Sequence, residues 1–286
     1  MKTSDELIEQ LLELAFAEDI GDGDHTTLST IPENAKGKSK LLIKEEGVLS
    51  GVDVAIQTLK KIDPSIEVSV FMKDGDHVKP GDVAFIAEGP IRSLLIAERT
   101  LLNIMQRMSG VATMTRKYMD ALKGLDTKIL DTRKTTPGMR LLEKKGVKDG
   151  GGTNHRIGLF DMILIKDNHI DFAGGIENAV ERAKEYCISK GKNLKIEVEA
   201  RSLEDVAKLA EMEGVDRIMF DNFSPELTAE AVKIVNGRKE TESSGGITLS
   251  NLRAYGETGV DFISVGALTH SVKGLDMSFK AVKERQ

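Results

Sequence analysis

From about residue 125 onward the chain alternates short apolar runs with amphipathic stretches, and few folds accept that order. The runs are TKILDTRK, DMILIKDNH, LKIEVEA, DRIMFDN, TESSGGIT and DFISVGALT. Between them lie stretches such as SLEDVAKLAEMEG and SPELTAEAVKIV, apolar at helical spacing. Six β/α units in series imply a parallel sheet covered by helices. The sequence itself does not repeat, which suits a β/α barrel better than a solenoid.

Upstream the texture differs. Residues 4–17, SDELIEQLLELAFA, place Leu7, Ile8, Leu11, Leu12, Leu14 and Ala15 at helical spacing, with Ser4 positioned as the N-cap. EDIGDGDHTT then ends the helix with two glycines. Its Glu18, Asp19, Asp22, Asp24 and His25 do not have calcium-loop spacing and read as a solvated turn. Residues 38–50 and 66–88 alternate in the strand manner around Asp-Gly and Pro-Gly turns, and a long helix is expected at about 91–122. Residues 1 to about 110 thus read as an α+β unit.

Composition excludes whole classes of function. The net charge of -6 is wrong for the broad basic face of a nucleic-acid protein. No run of apolar residues is long enough to span a membrane, and MKTSDELIEQ lacks the apolar region of a signal peptide. The single cysteine, Cys187, rules out an internal disulfide and reads as a small buried residue on a helix. A reducing cytoplasm is the default compartment.

Each apolar run ends on polar residues or glycine. These are Asp131, Thr132, Arg133 and Lys134; then Lys166, Asp167, Asn168 and His169; then Glu199; then Asp221 and Asn222. The last two ends are Ser243–Gly246 and Gly266–Thr269. In a β/α barrel all such ends open on one face, and that face carries the chemistry. Against the chain's acidic balance, this face collects Arg133, Lys134, His155, Arg156, Lys166 and His169. Arginine suits a two-pronged grip on carboxylate or phosphate. Glu199 and Asp221 beside these cations suggest contacts to sugar hydroxyls or a magnesium bridge to phosphate. SSGGIT and VGALT offer small residues and N–H groups ahead of helix starts, a phosphate cradle without a P-loop motif. His155 and His169 lack the spacing of a structural zinc site. The residues therefore call for a small, highly anionic ligand with a phosphate at one end.

TRKTTPGMR, GGGTNHR, LIKDNH, IEVEA, FDN, SGGIT and VGALT together resemble the quinolinate phosphoribosyltransferase family. EDIGDGDHTT and AERTLLNIMQRMSGVAT extend the resemblance to nearly the whole chain, and GGGTNHR followed by LIKDNH is its most specific part. In MFDN, phenylalanine replaces a commoner leucine. The resemblance implies an N-terminal α/β sandwich domain over 1–115 and an incomplete β/α barrel over 116–286, with a C-terminal helix packing back on the first domain. It implies transfer of a phosphoribosyl group from phosphoribosyl pyrophosphate to quinolinate, giving nicotinate mononucleotide, pyrophosphate and carbon dioxide in de novo NAD biosynthesis. Magnesium is expected, and no organic cofactor.

Carried onto this sequence, the resemblance assigns the quinolinate carboxylates to Arg133, His155, Arg156 and Lys166, beside Thr132. Lys134, helped by Lys166 and His169, neutralises the pyrophosphate. Glu199 and Asp221 hold ribose hydroxyls or magnesium, directly or through a bridge, and stabilise a cationic ribosyl transition state. Lys134, Lys166, Glu199 and Asp221 form the catalytic set. Ser244, Gly245, Gly246, Gly266 and Ala267 cradle the 5′-phosphate. The three glycines 150–152 are expected to let the backbone approach the ligand. Arg99 is supplied to the neighbouring subunit's site, which implies a homodimer or a larger oligomer.

Two other readings fit the same residues. One is a paralogue of this fold associated with molybdate transport. The other is a non-catalytic binder of anionic nucleotides, which Glu199 and Asp221 disfavour because pure anion binding gains nothing from negative charge.

Overall fold

The structure, a computed structural model, describes residues 3–282. In chain order it contains α1 (Ser4–Ile20), α2 (His25–Thr30), β1 (Lys36–Ile43), β2 (Gly47–Val48), α3 (Val52–Ile62), β3 (Glu67–Val70), β4 (His77–Val78), β5 (Val83–Pro90) and α4 (Ile91–Ala121). Then come β6 (Lys128–Leu130), α5 (Arg140–Asp149), β7 (Ile163–Ile165), α6 (Asp167–Ala173), α7 (Ile176–Lys190), β8 (Ile196–Ala200), α8 (Leu203–Glu211), β9 (Arg217–Asp221) and α9 (Pro225–Val235). The chain closes with β10 (Glu240–Ser244), α10 (Leu252–Gly256), β11 (Phe262–Ser264), α11 (Ala267–His270) and β12 (Met277–Ala281). Two compact units emerge: one takes the chain up to Arg116, Thr135–Gly151 and Leu268 onward, the other Lys117–Lys134 and Gly152–Ala267. The expected boundary near 115 is therefore one of several crossings.

The first unit is built on an antiparallel sheet in the order β12-β1-β5-β3. Alternation sends Leu41 and Ile43 of β1 inward, opposite Phe279 and Met277 of β12. Phe85, Ala87, Leu94, Ala97 and Leu101 complete the core with α3. That helix, VDVAIQTLKKI, lies between the two strand regions read from sequence and was not anticipated there. Its Val52, Ala55 and Leu59 form one apolar stripe and pack on the sheet. The C-terminal return is a strand, not the expected helix: Met277 and Phe279 are buried and alternate with Ser278 and Lys280. That period of 2 hydrogen-bonds along β1 and covers what would otherwise be an open sheet edge. At the other end Thr3 caps α1, not Ser4. Its hydroxyl takes the Glu6 N–H while Glu6 accepts the Thr3 N–H, satisfying two orphan donors reciprocally. Asp24 in the acidic turn serves as the cap of α2, accepting from Thr27 N–H at 2.9 Å.

The second unit holds six parallel strands in the order β6-β11-β10-β9-β8-β7. All six correspond to the apolar runs. The order is cyclic, so the sheet is a barrel with an open seam between its first two strands. Thr153 bridges to Leu130 along β6, its N–H donating to Ile129 O at 2.8 Å. Ser202 and Ser224 cap α8 and α9, each accepting the N–H three residues on, and Pro225 opens α9. Cys187 lies on α7 as expected but is only half-buried.

Candidate active site

Parallel pairing puts all the strand ends on one rim. Ser244 pairs with Asp221 and Ala200 with Phe220, so β8, β9 and β10 end level with one another. Every second side chain of these strands then shares a face. Glu197 and Glu199, Arg217 and Asp221, Glu242 and Ser244 stand in successive storeys. Glu197 is level with Arg217, Glu242 is level with Met219 and Glu199, and Ser244 is level with Asp221.

The rim opens into a cavity of about 580 Å³. Thr132, Arg133 and Lys134 line it from the loop after β6, and His155 and Arg156 from the loop before β7. Lys166, Glu199 and Asp221 follow from the next three strand ends, and Ser244, Gly245 and Gly246 from the fifth. Eleven expected residues thus meet in one cavity. Asn222, expected at a strand end but given no role, joins them, as do Glu242 and Ser264, which were not anticipated. For Glu242 the signal was present: it stands two positions before Ser244 in TESSGG, on the same strand face.

Four expected residues lie elsewhere. His169 lines a separate hollow of about 320 Å³ with Arg156 and Arg182, and its Nδ1 accepts the Lys166 N–H at 3.0 Å. Arg99 is exposed in the first unit, in a hollow with Glu18, Asp19 and Asn103. Gly266 and Ala267 stand at the start of α11, outside the residues that line the cavity. The glycine-rich end of β10 does not open a helix directly, since α10 begins only at Leu252.

Gly150, the first of the three glycines, also differs from expectation. A Cβ on Gly150 would meet Ala112 O at 2.4 Å, and one on Gly146 would meet Met108 O at 2.8 Å. Gly146 and Gly150 are small so that α5 can approach α4, not a ligand. The glycine the cavity requires is Gly245: its φ is +98°, and a Cβ there would come within 2.2 Å of Asn222 Oδ1. Asn222 itself has φ +57° and donates its N–H to Ser244 O at 2.8 Å. Two left-handed residues on adjacent strand ends thus hold this corner of the rim.

The charges are arranged by depth. Near the rim, Lys166 Nζ donates to Glu199 Oε1 at 2.5 Å, and the other Glu199 oxygen takes the Asp167 N–H at 3.1 Å. Burial, then the neighbouring Arg133 charge, pulls the Arg156 guanidinium below its ordinary value, against Glu197, Asp161 and Glu199. Two guanidinium groups brought together in a half-closed cavity make a strong place for an anion. Deeper, His155 Nε2 faces Glu197 Oε2 at 3.1 Å and Glu242 Oε2 at 3.4 Å. Arg217 donates to the same Glu242 oxygen at 3.0 Å and to Glu240, and it lies 4.1 Å from the Phe262 ring centre. Burial alone would lower His155; the two carboxylates outweigh it and lift the ring to about 9. Burial and the Glu242 charge raise Glu197 to about 7. Burial also opposes ionisation of Glu242, but His155 and Arg217 overcome it and hold that carboxyl low.

Sequence comparison agrees with this layout. Residues 24–109 match the N-terminal domain of quinolinate phosphoribosyl transferase, and residues 111–280 match its C-terminal domain. The chain belongs to the quinolinate phosphoribosyltransferase family. Within that family it is 44% identical to the chloroplastic carboxylating nicotinate-nucleotide pyrophosphorylase of Oryza sativa subsp. japonica, over 96% of this chain and 77% of the relative. It is 43% identical to a probable carboxylating nicotinate-nucleotide pyrophosphorylase of Bacillus subtilis (strain 168), over 95% of this chain and 92% of the relative. Among solved structures, NadC from Streptococcus pyogenes superposes with a TM-score of 0.92 at 37% identity, covering 99% of this chain and all of that one. The nicotinate-nucleotide pyrophosphorylase of Francisella tularensis gives 0.89 at 39% identity, covering 98% of each chain. The two solved structures therefore share this fold over nearly the whole chain.

Proposed function

We propose that this protein transfers the phosphoribosyl group of phosphoribosyl pyrophosphate to quinolinate and releases carbon dioxide, making nicotinate mononucleotide and pyrophosphate for NAD biosynthesis. The observation that carries the reading is the pairing of Arg133 with the half-buried Arg156 in a cavity that also holds Lys134, His155 and Lys166. A dicarboxylate relieves their mutual repulsion; a neutral acceptor does not.

Arg133, His155 and Arg156 grip the acceptor carboxylates, with Thr132 beside them. Lys134 and Lys166 neutralise the leaving pyrophosphate. His169, which lines the other hollow and not this cavity, is left out of that role. The pyridine nitrogen attacks the anomeric carbon as pyrophosphate departs. Negative charge from Glu199 and Asp221 stabilises the cationic sugar between them. Carbon dioxide then leaves from the carboxylate beside the new pyridinium; the C–CO₂ electron pair stays on the ring carbon as a carbanion stabilised by the positive nitrogen, and that carbon takes a proton. Most of the rate comes from holding two anions together in one orientation. Ser244, Gly245 and Gly246 cradle the 5′-phosphate, with Gly266 and Ala267 closing on it from the last strand end.

Magnesium suits the oxygen donors here. Asp221 would hold it directly. Both Glu199 oxygens are already engaged, so Glu199 would reach it through water. The ion would offset pyrophosphate charge.

A second copy of the chain completes the proposal. Leu159, Phe160 and Phe172 are exposed close to β7, at the edge of the parallel sheet, where a partner would cover them. Arg99 would enter the partner's site. The single thiol fits a reducing cytoplasm, while the rice relative is by its name chloroplastic.

The test is to mix the protein with quinolinate, phosphoribosyl pyrophosphate and magnesium and to follow nicotinate mononucleotide and carbon dioxide together, with nicotinate as the comparison acceptor. Equal yields of the two products from quinolinate alone are expected. Binding of phosphoribosyl pyrophosphate without turnover would move the reading to the molybdate-associated paralogue.

A further inference from the structure

Below the residues used by this chemistry lie charges it does not use. Glu197 on β8 and Glu242 on β10 are fully buried, and each directs an oxygen at the same atom, His155 Nε2. Neither Glu197 oxygen has an aligned hydrogen bond among the described residues. A carboxylate held out of water in this way costs stability. The group facing it is a ring that lines the ligand cavity.

The other side of that ring is also engaged. The Arg156 N–H donates to His155 Nδ1 at 2.7 Å, so in the neutral ring the proton belongs on Nε2, toward the carboxylates. The His155 N–H donates to buried Asp131 Oδ1 at 2.9 Å, and the Arg156 guanidinium donates to Met162 O at 3.2 Å. Turning the ring over would break the contacts at both nitrogens together. A metal does not suit the three converging ligand atoms, because Arg217 already brings its guanidinium to 3.0 Å from the shared Glu242 oxygen.

We propose that Glu197 and Glu242 are positioning residues for acceptor binding. By fixing the His155 ring between them and the Arg156 N–H, they set how His155 and Arg156 meet a ligand carboxylate. This rests on the reading of the cavity as the acceptor site.

Neutralising Glu197 sets two effects against each other. Removing a buried negative charge should favour a bound dianion. Releasing the ring should disfavour it, and positioning requires that the second effect win. The experiment is steady-state kinetics of full-length Glu197→Gln and Glu242→Gln, with folding checked by thermal unfolding. The expected result is a quinolinate KM raised about tenfold or more, with a smaller fall in kcat and no change in KM for phosphoribosyl pyrophosphate. An unchanged or lowered quinolinate KM in the folded variants, or equal rises in both KM values, would overturn the proposal. If neither variant folds, ¹⁵N spectra of the histidine-labelled wild type, recorded above pH 9 where the ring is neutral, decide. A single Nε2–H form of His155 supports the proposal, and exchange between tautomers overturns it. Arg156→Ala is measured in parallel. If it leaves the quinolinate KM unchanged, the acceptor-site reading itself is wrong, a separate failure from that of the positioning claim.

Discussion

Two sheets in this chain bury a face, and they fill it in opposite ways. The antiparallel sheet of the first unit buries Leu41, Ile43, Phe85, Ala87 and Phe279. The parallel sheet of the second buries Glu197, Glu199, Arg217 and Glu242 alongside Ile196, Val198, Ile218 and Phe220. The first arrangement is what burial rewards, at about 1.5–3 kcal/mol for each large apolar side chain. The second is tolerated only where each charge has a partner, and it gains little stability even then. The contrast separates a unit whose interior serves folding from one whose interior serves a site.

That contrast can be broken in several ways. The largest effect is expected from Arg217→Met, which leaves Glu242 buried beside Glu240 without their guanidinium. A loss of about 3–5 kcal/mol is expected from chemical denaturation, more than its apolar volume would suggest. If the variant were as stable as the wild type, the buried charges would not depend on one another. Leu59→Ala in the first unit should cost about 2–5 kcal/mol through an apolar cavity, while both substrate KM values stay put in the folded protein. A shift in either KM would show that the apolar core also shapes the site.

Arg133→Ala and Lys166→Ala should each lower kcat/KM by about tenfold or more, at least ~1.4 kcal/mol, with the melting temperature unchanged. Full activity in either variant would remove that side chain from the mechanism. Mixing Arg99→Ala with Lys166→Ala then tests for shared sites. If Arg99 works in the partner's site, reassorted dimers contain one intact site, and about a quarter of wild-type activity should return. No recovery would confine Arg99 to its own subunit.

The last effect concerns pH. His155 and Glu197 both hold protons more tightly folded than unfolded, so each contributes stability that is complete below its ordinary value and lost as pH rises. For Glu197 the window runs from 4.5 to about 7, and for His155 from 6.5 to about 9. Glu242, held low, works the other way as pH falls through the acid range. Stability should therefore decline from pH 6.5 to 9, and His155→Gln should flatten the decline. A decline confined to the range below pH 7 would place the proton on Glu197.

Much of this was legible in the chain. The six parallel strands follow from apolar runs whose length and neighbours admit little else, and the rim follows because parallel strands must end together. α3 escaped because it sits between two alternating stretches, where a short apolar stripe is ambiguous. The last strand was read as a helix although Met277 and Phe279 alternate, since the partner edge on β1 is far away in sequence. Gly150 was assigned to a ligand because a glycine's neighbour cannot be read from its letter.

The sequence by itself determined the six parallel strands, the cluster of cations and the family, because periodicity, motif spacing and charge are local and countable. Only the tertiary structure decided which charges are buried and what faces them. Glu197 and Glu199 are two letters apart in IEVEA. One meets Lys166 near the rim, and the other meets His155 below it. Their difference in depth is set by the register of neighbouring strands, and register belongs to the sheet rather than to any one segment.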